Sequence, residues 1–143
     1  GGSAADAQHL AAEFSGRFYK DRKALKSEAL HCNSSYITAV GNDYGYDQVF
    51  ARELEAIVRP NDVFIPITTS GNSSNILLAV AVTVRQGVKT VGLSGNSGGE
   101  LQALCPCVCI PSTNTARIQE CHIMLGHILC GLVEKIKFPM GGR

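Results

Sequence analysis

Apolar residues in the first half of the chain recur mostly at helical spacing. Steps of three and four predict a core-facing helix from Ser3 to about Tyr19, with Gly1-Gly2-Ser3 as its N-terminal turn. The basic segment Lys20–Lys23 has no apolar period and is predicted to be a solvated loop. An amphipathic helix is predicted from Asp47 to Val58, where Arg59-Pro60 closes it. Two shorter segments are less regular: Ala29–Cys32 fits a short strand, and Ser35–Val40 fits either element.

From Val63 onward, short apolar runs alternate with helical patterns. The predicted strands are Val63–Thr68, which is expected to be buried, Lys89–Ser94 and Val108–Pro111. The predicted helices are Ser73–Gln86, Glu100–Leu104 and a long one from about Thr115 to Phe138. This alternation predicts an α/β fold with a doubly wound parallel sheet, in a single domain over residues 1–143.

Composition agrees with one ordinary soluble domain, since 45% of the 143 residues are apolar and 17% are charged. A net charge of +1 without a Lys/Arg cluster predicts no direct binding to nucleic acid or to a membrane surface. The six cysteines are irregularly placed, with Cys105, Cys107 and Cys109 alternating in one apolar run. We expect reduced, buried thiols in a cytoplasmic protein.

Thr68-Thr69-Ser70-Gly71-Asn72-Ser73 follows a predicted strand and opens a predicted helix. Free amides at the start of a helix, its positive dipole end and adjacent hydroxyls together suit a phosphate monoester. The segment lacks the glycine patterns of nucleoside triphosphate and dinucleotide sites, so a small phosphorylated metabolite fits better. The same Ser-Gly-Asn-Ser sequence recurs at Ser94–Ser97, and local sequence does not choose between the two turns. A turn and helix cap without a ligand is the structural alternative.

Two pairs of metal-capable side chains have helical spacing. His9 and Glu13 lie four residues apart on the first helix, and Gln119 and His127 lie eight apart on the last. Together they offer the mixed nitrogen and oxygen donors that suit Zn²⁺, although either pair alone is more often a simple surface feature. His31 and His122 lie off these faces and are expected to be structural.

Four segments carry a family resemblance along essentially the whole chain: Gly1–His9, Gly41–Gly45, Thr69–Ser73 and Ala116–Glu120. In that order they resemble the sedoheptulose 7-phosphate isomerases, the phosphoheptose isomerases of the sugar isomerase (SIS) domain superfamily. Thr68 stands where many relatives have Ser, which preserves the hydroxyl. The family's first strand and N-terminal helix precede the Gly-Gly-Ser turn, so we expect the printed sequence to be a fragment.

The resemblance implies a five-stranded parallel sheet and a homotetramer with active sites between subunits. It implies conversion of sedoheptulose 7-phosphate to D-glycero-D-manno-heptose 7-phosphate, the first step of ADP- or GDP-heptose synthesis, which can serve lipopolysaccharide. It also implies one zinc per subunit, bound by His9, Glu13, Gln119 and His127, and it favours the first Ser-Gly-Asn-Ser turn as the phosphate site. The implied substrate contacts are Gly1, Gly2, Ser3, Glu13, Asn42, Asp43, Thr68, Thr69, Ser70, Ser73 and Gln119.

By the same resemblance, Glu13 would be the base at carbon and His127 the acid and base at oxygen, with zinc polarising the carbonyl. An alternative is a non-catalytic SIS-domain protein that regulates the bacterial replication initiator. Such relatives are similar at Ala7–His9, Arg117–Glu120 and Phe138-Pro139, but they lack the acid and base that Glu13 and His127 provide here. A second alternative is a phosphosugar-sensing regulatory domain that uses the same turn without turnover.

Overall fold

The structure is a computed structural model, and it describes residues 1–140. The helices in this part of the chain are α1 (Gly2–Ser15), α2 (Ser34–Tyr44), α3 (Val49–Ile57), α4 (Ser74–Arg85), α5 (Leu101–Leu104) and α6 (Thr115–Lys137). The strands are β1 (Val63–Phe64), β2 (Ile67–Thr68), β3 (Lys89–Thr90), β4 (Gly92–Gly95) and β5 (Cys107–Ile110). No helix among residues 1–140 is both long enough and apolar enough to cross a bilayer.

Residue contacts divide the chain into two compact units. The helical unit combines Gly1–Ala29 with the chain from Gln119 onward, and the strand unit is Leu30–Ile118. A single domain over residues 1–143 stays a prediction, and its last three residues lie outside the described part of the chain.

All strands of the strand unit pair in parallel, as the alternation of elements predicts. β1 pairs with β3, while β2, β4 and β5 form a ladder with β4 in the middle. The predicted strand Val63–Thr68 is divided at Pro66, which has no amide hydrogen to donate, although its carbonyl accepts from the Leu93 amide at 2.9 Å. Burial of this whole run was a wrong prediction, since Val63 is 60% exposed. A single sheet of five strands is not confirmed.

Two apolar clusters hold the helices of the strand unit in place. In the first, Ala51 and Leu54 of α3 pack with Ala79 and Val82 of α4. In the second, Val80 of α4 packs with Leu101 and Cys105. Both clusters reach Phe64 of β1, so the core anchors α4 beside the strands that precede it.

Several boundaries differ from the sequence prediction. Residues 29–32 form no strand, because a turn at Leu30-His31 leads into α2, where the Asn33 side chain accepts from the Tyr36 amide at 3.0 Å. Gly1 caps α1, and Gly2 and Ser3 lie in its first turn, in agreement with the predicted N-terminal turn, although the helix begins one residue earlier than Ser3. A separate prediction, that all six cysteines are reduced and buried, is wrong for Cys32: all six thiols are free, but Cys32 is exposed.

In the helical unit, two glycines allow α1 and α6 to approach closely. A Cβ on Gly2 would lie 2.5 Å from the side-chain amide of Gln119, and a Cβ on Gly126 would lie 2.6 Å from a methyl carbon of Leu10. Gly2 near the start of α1 contacts Gln119, and Leu10 further along α1 contacts Gly126 further along α6. The two helices therefore run in the same direction. Close approach at these points sets which residues of the two helices face each other.

A buried ion pair joins the loop after α1 to α6 within the helical unit. Arg22 donates from Nε to Glu134 at 2.9 Å, and both side chains are almost fully buried. The Glu134 carboxylate also accepts from the backbone amides of Phe18, Tyr19 and Lys20, each at 3.0 Å. These amides are directed to Glu134 rather than into α1, which explains why the helix ends at Ser15 instead of near Tyr19.

The prediction of a solvated loop at Lys20–Lys23 is therefore wrong for Arg22. Its guanidinium donates to the carbonyls of Glu13 and Phe14, at 2.7 and 2.8 Å, near the C-terminal end of α1. Burial alone would raise the pKa of Glu134, but the hydrogen bonds from the three amides and from Arg22 hold that pKa below its ordinary value. Glu134 is consequently a charged group inside the helical unit.

Candidate active site

The helical unit brings three of the four predicted metal ligands together. His9 and Glu13 lie one turn apart on α1, with 3.1 Å between His9 Nε2 and Glu13 Oε1. His127 reaches the same place from α6, and the ligand atoms of all three residues lie within 4.8 Å of one another. Two imidazoles and one carboxylate at this spacing form a donor set of the kind that zinc prefers.

His127, like Glu13, is half-buried, whereas His9 is exposed. Its ring meets the His9 ring edge-on, with centroids 5.0 Å apart, and stacks on Phe18 at 5.5 Å. His127 Nε2 is buried and has no hydrogen-bond partner among residues 1–140. Because a buried ring nitrogen normally has a partner, this atom is suited to binding a metal or a substrate group. The His9 side chain is 49% exposed, so the group is open to solvent on that side.

Gln119, the fourth predicted ligand, lies against Gly2 at the start of α1. Eight residues of helix separate it from His127, a rise of about 12 Å between their Cα atoms. Its role as a ligand stays a prediction.

Two further groups near this cluster were not anticipated from the sequence. Burial raises the pKa of Asp6, against the opposing influence of His122 and His9, and Asp6 Oδ2 is buried without a hydrogen-bond partner in the described structure. Burial, together with the charges of Glu13 and Glu134, raises the pKa of Cys130 to about 11. The three-residue step from Asp6 to His9 is a helical spacing, and it was the available signal for the first of these groups.

In the strand unit, the predicted phosphate-binding turn joins β2 to α4. The hydroxyls of Thr68 and Ser73 share a hydrogen bond of 2.9 Å, and Ser70 Oγ accepts from the Asn72 amide at 3.1 Å. Ser73 caps α4, and its carbonyl accepts from the amides of Ile76 and Leu77 at 3.0 Å, which leaves the first two amides of the helix without partners inside it. Gly71 has a φ of +72°, and a Cβ there would collide with the Gly98 carbonyl. The turn therefore places hydroxyls and free amides at the start of a twelve-residue helix.

Both Ser-Gly-Asn-Ser turns contribute to one cavity of about 310 Å³, together with the loop after β5. The three loops follow adjacent parallel strands, so they meet at the carboxyl ends of those strands. No lining residue is charged: the lining consists of Thr69, Ser70, Asn72, Gly95, Asn96, Ser97, Gly99, Ser112, Thr113, Thr115 and Ile118. Sequence reasoning treated the two turns as competitors and missed Ser112–Thr115. Identical turns after neighbouring strands were the signal that they could share a site.

The other predicted substrate contacts do not line this cavity. Asn42 and Asp43 lie at the end of α2, where Asn42 Nδ2 donates to Asp43 Oδ1 at 2.8 Å and both side chains are exposed. Gly1, Gly2 and Ser3 belong to the helical unit. Their roles stay predictions.

Known proteins share this sequence over nearly its whole length. A family model described as SIS domain matches residues 1–95. The phosphoheptose isomerase of Rhodospirillum rubrum is 53% identical over 135 residues, covering 94% of this chain and 72% of that protein. The chain belongs to the phosphoheptose isomerase family. It is therefore a member of a family of isomerases, which confirms the enzyme class and the resemblance predicted from the four segments.

Solved structures of the family have the same fold. A phosphoheptose isomerase from Neisseria gonorrhoeae superposes with a TM-score of 0.89 at 41% identity, over 94% of this chain and 72% of that chain. One from Francisella tularensis gives 0.90 at 38% identity, over 94% of this chain and 73% of that chain. The predicted parallel α/β fold is thus confirmed as the SIS fold.

Proposed function

We propose that the protein converts sedoheptulose 7-phosphate to D-glycero-D-manno-heptose 7-phosphate, the first step towards ADP- or GDP-heptose and hence to products such as lipopolysaccharide. The observation that carries the proposal is the meeting of Glu13 and His127, whose polar atoms lie within 4.8 Å of each other in a protein of this family. A carboxylate beside an imidazole provides two groups that can each take up and return a proton.

Isomerisation of a 2-ketose phosphate moves one proton from C1 to C2 through an enediol. In the proposed reaction Glu13 removes the C1 proton and returns a proton to C2. His127 moves the matching proton between the two oxygens, donating at O2 as the C1 proton leaves. Buried Nε2 of His127 has no hydrogen-bond partner in the described residues, so it is available to the substrate or to an ion, and it would move the proton only while no ion is bound to it.

The residues present fit a zinc ion. Nitrogen from His9 and His127 and oxygen from Glu13 give three donors of suitable type, and the unpartnered Nε2 of His127 is the observation that favours an ion there. We propose Gln119 as the fourth donor. When bound, Zn²⁺ supplies Lewis-acid stabilisation for the negative charge that develops on the substrate oxygens.

Phosphate would bind at the turn between β2 and α4, where hydroxyls of Thr68, Thr69, Ser70 and Ser73 adjoin the free amides of α4. Within the substrate, the phosphate is remote from the reacting carbons, and the free energy of binding it helps to orient those carbons. The remaining proposed substrate contacts are Gly1, Gly2, Ser3, Glu13, Asn42, Asp43 and Gln119.

We also propose a homotetramer in the cytoplasm. Support comes from the outer face of α6, where Met124, Ile128, Leu132 and Ile136 recur every fourth residue and each is at least half exposed. The first three of these residues, together with Tyr19, border a groove of about 640 Å³, an apolar surface that a second copy of the chain would cover. Light scattering after gel filtration tests this assembly, and a monomer at micromolar concentration would contradict it.

Turnover of sedoheptulose 7-phosphate, with and without a chelator and with zinc restored, tests the function. We expect activity to be lost with the chelator and regained with Zn²⁺. Glu13→Gln should lower turnover about 10²- to 10⁴-fold, while Glu28→Gln, at an exposed position of the same unit, should leave it unchanged. A zinc-loaded tetramer without turnover would contradict the proposal and favour a non-catalytic binding protein.

A further inference from the structure

The cavity at the ends of β2, β4 and β5 has two walls with similar side chains, which differ in the helix that follows each turn. The first wall is the turn Thr69–Asn72, which leads into α4. The second wall is formed by Asn96 and Ser97 of the second Ser-Gly-Asn-Ser turn and by Ser112 and Thr113 of the next loop. The phosphate role discussed above concerns only the first wall.

Backbone contacts fix the two turns against each other. The Gly95 amide donates to the Thr69 carbonyl at 3.1 Å, and the Leu101 amide donates to the Gly71 carbonyl at 3.0 Å. The Asn72 side chain accepts from the Glu100 amide at 2.9 Å. Since the two backbones meet at Gly71 and Gly98 and the Asn72 side chain bridges them, the width of the cavity is fixed by these contacts rather than by mobile side chains.

Side chains of the second wall have free hydrogen-bonding capacity. Asn96 adopts a φ of +39°, and its backbone amide donates to the carbonyls of Ile110 and Ser112 at 2.6 and 3.1 Å. These bonds fix the Asn96 backbone, while its exposed side-chain amide has no hydrogen-bond partner among residues 1–140. The Ser97 hydroxyl is likewise exposed and has no hydrogen-bond partner among residues 1–140. Amide and hydroxyl groups of this kind both donate and accept, as sugar hydroxyls do.

Charge separates the roles of the two walls. A phosphate dianion is best placed at the first wall, where the free amides and the positive end of the α4 dipole lie. The second wall has no cation and is followed by α5, which has only four residues and offers little dipole. Its neutral groups instead match the uncharged part of a phosphosugar.

We infer that Asn96 and Ser97 bind hydroxyl groups of the sugar chain next to its phosphate and so help to select the substrate among phosphorylated metabolites. This inference rests on the proposed function for the class of ligand. It assigns a binding role to the second Ser-Gly-Asn-Ser turn, which resemblance alone had set aside.

The chain offers a matched pair of variants to test it. Asn96→Gly removes the side-chain amide while retaining a residue that tolerates the left-handed backbone. Asn61→Gly makes the same change at the other left-handed asparagine, which has a φ of +75° and lies in a turn outside the cavity. Ser70→Ala provides the comparison for the first wall.

Each variant is measured for the KM of sedoheptulose 7-phosphate and for inhibition by inorganic phosphate, which has no sugar hydroxyls. We expect Asn96→Gly and Ser97→Ala each to raise KM about 3- to 10-fold, the loss of one neutral hydrogen bond, with phosphate inhibition unchanged. Ser70→Ala should weaken both the substrate and phosphate, and Asn61→Gly should weaken neither. Unchanged KM in Asn96→Gly, or phosphate inhibition weakened as much as KM is raised, would overturn the inference.

Calorimetric binding of the same two ligands separates this inference from the proposed function. If the wild-type protein binds the phosphosugar without converting it, weaker binding by Asn96→Gly still supports the second wall while the isomerase proposal fails. If turnover is normal and Asn96→Gly behaves like Asn61→Gly, only the second-wall inference fails. Failure of the wild-type protein to bind either ligand would overturn both.

Discussion

The helical unit and the strand unit arrange their polar groups in contrasting ways. In the helical unit, long charged side chains reach across from α6 and the loop after α1, and Glu134 and Arg22 together satisfy amides and carbonyls far apart in sequence. In the strand unit, the cavity is lined by neutral residues, and its shape comes from backbone approach at glycines. Buried charged side chains determine the structure of the helical unit, whereas close backbone contacts at glycines determine the shape of the cavity in the strand unit.

This difference affects how each region tolerates change. A buried carboxylate with four donors is stabilising only while all of its partners remain, because an unpaired buried charge is costly. A turn built around glycine depends instead on the space left by the missing side chain, so it is destabilised when atoms are added there rather than when they are removed. Substitutions in the two regions should therefore fail for opposite reasons.

Removing Glu134 should have the largest effect. Glu134→Ala leaves Arg22 buried without its counter-ion and three backbone amides without an acceptor, so the free energy of unfolding should fall by about 3–5 kcal/mol. Urea denaturation measures this, with Glu134→Gln as the variant that keeps a side-chain oxygen and should lose less. A loss below about 1 kcal/mol in the alanine variant would show that charge does not organise this unit.

Adding one methyl group at Gly71 should follow in size. Gly71→Ala combines a left-handed backbone with a collision against the Gly98 carbonyl, and should cost about 2–4 kcal/mol of unfolding free energy. Gly87→Ala is the control, because its φ is +70° but no atom lies within 4 Å of the added Cβ, so it carries only the strain. Equal losses in the two variants would mean that space between the turns is not the limiting factor.

Acid should weaken the helical unit through Glu134. Its folded-state pKa is below the ordinary value, so its contribution to stability is complete above the unfolded-state pKa, about 4.3, and is lost as pH falls through the folded value. Melting temperatures from pH 7 to pH 3 should show the advantage of the wild-type protein over Glu134→Gln shrinking on the acid side. A constant difference across this range would rule out ionised Glu134 as the cause.

The smallest effect is expected at the exposed pair Arg85–Glu55. Its atoms lie 3.2 Å apart, almost as close as those of the buried pair, but the side chains are 67% and 48% exposed. Water screens such a pair, so Glu55→Gln should change the free energy of unfolding by less than about 1 kcal/mol. A loss comparable to that of Glu134→Ala would show that distance, rather than burial, decides the strength of ion pairs in this protein.

Sequence alone predicted features that depend on local spacing. The step from His9 to Glu13 follows from helix geometry, and the order of strands and helices after Val63 follows from the alternation of apolar patterns. The outer bounds of the strands predicted after Val63 were correct to within one or two residues, although the strand predicted at Ala29–Cys32 is absent and Lys89–Ser94 is divided in two. The break at Pro66 has a local cause that could have been anticipated.

Features that depend on distant residues were not predicted. Burial of Arg22 requires Glu134, 112 residues away, and nothing near Arg22 distinguishes it from a solvated basic residue. The shared cavity likewise requires the ends of β2, β4 and β5 to be adjacent, which only strand pairing establishes. The roles proposed for Gln119, Asn42 and Asp43 remain predictions for the same reason.

The close contact of Gly126 with Leu10 has an evolutionary consequence. With a methyl carbon of Leu10 only 2.6 Å from where a Cβ would stand, a lineage that gains a larger residue at position 126 must first accept a smaller one at position 10. The two positions should therefore covary among relatives, and the intermediate with both large residues should be rare. Because α1 carries His9 and Glu13 while α6 carries His127, this pairing would constrain the evolution of the proposed catalytic residues without any contact with the substrate.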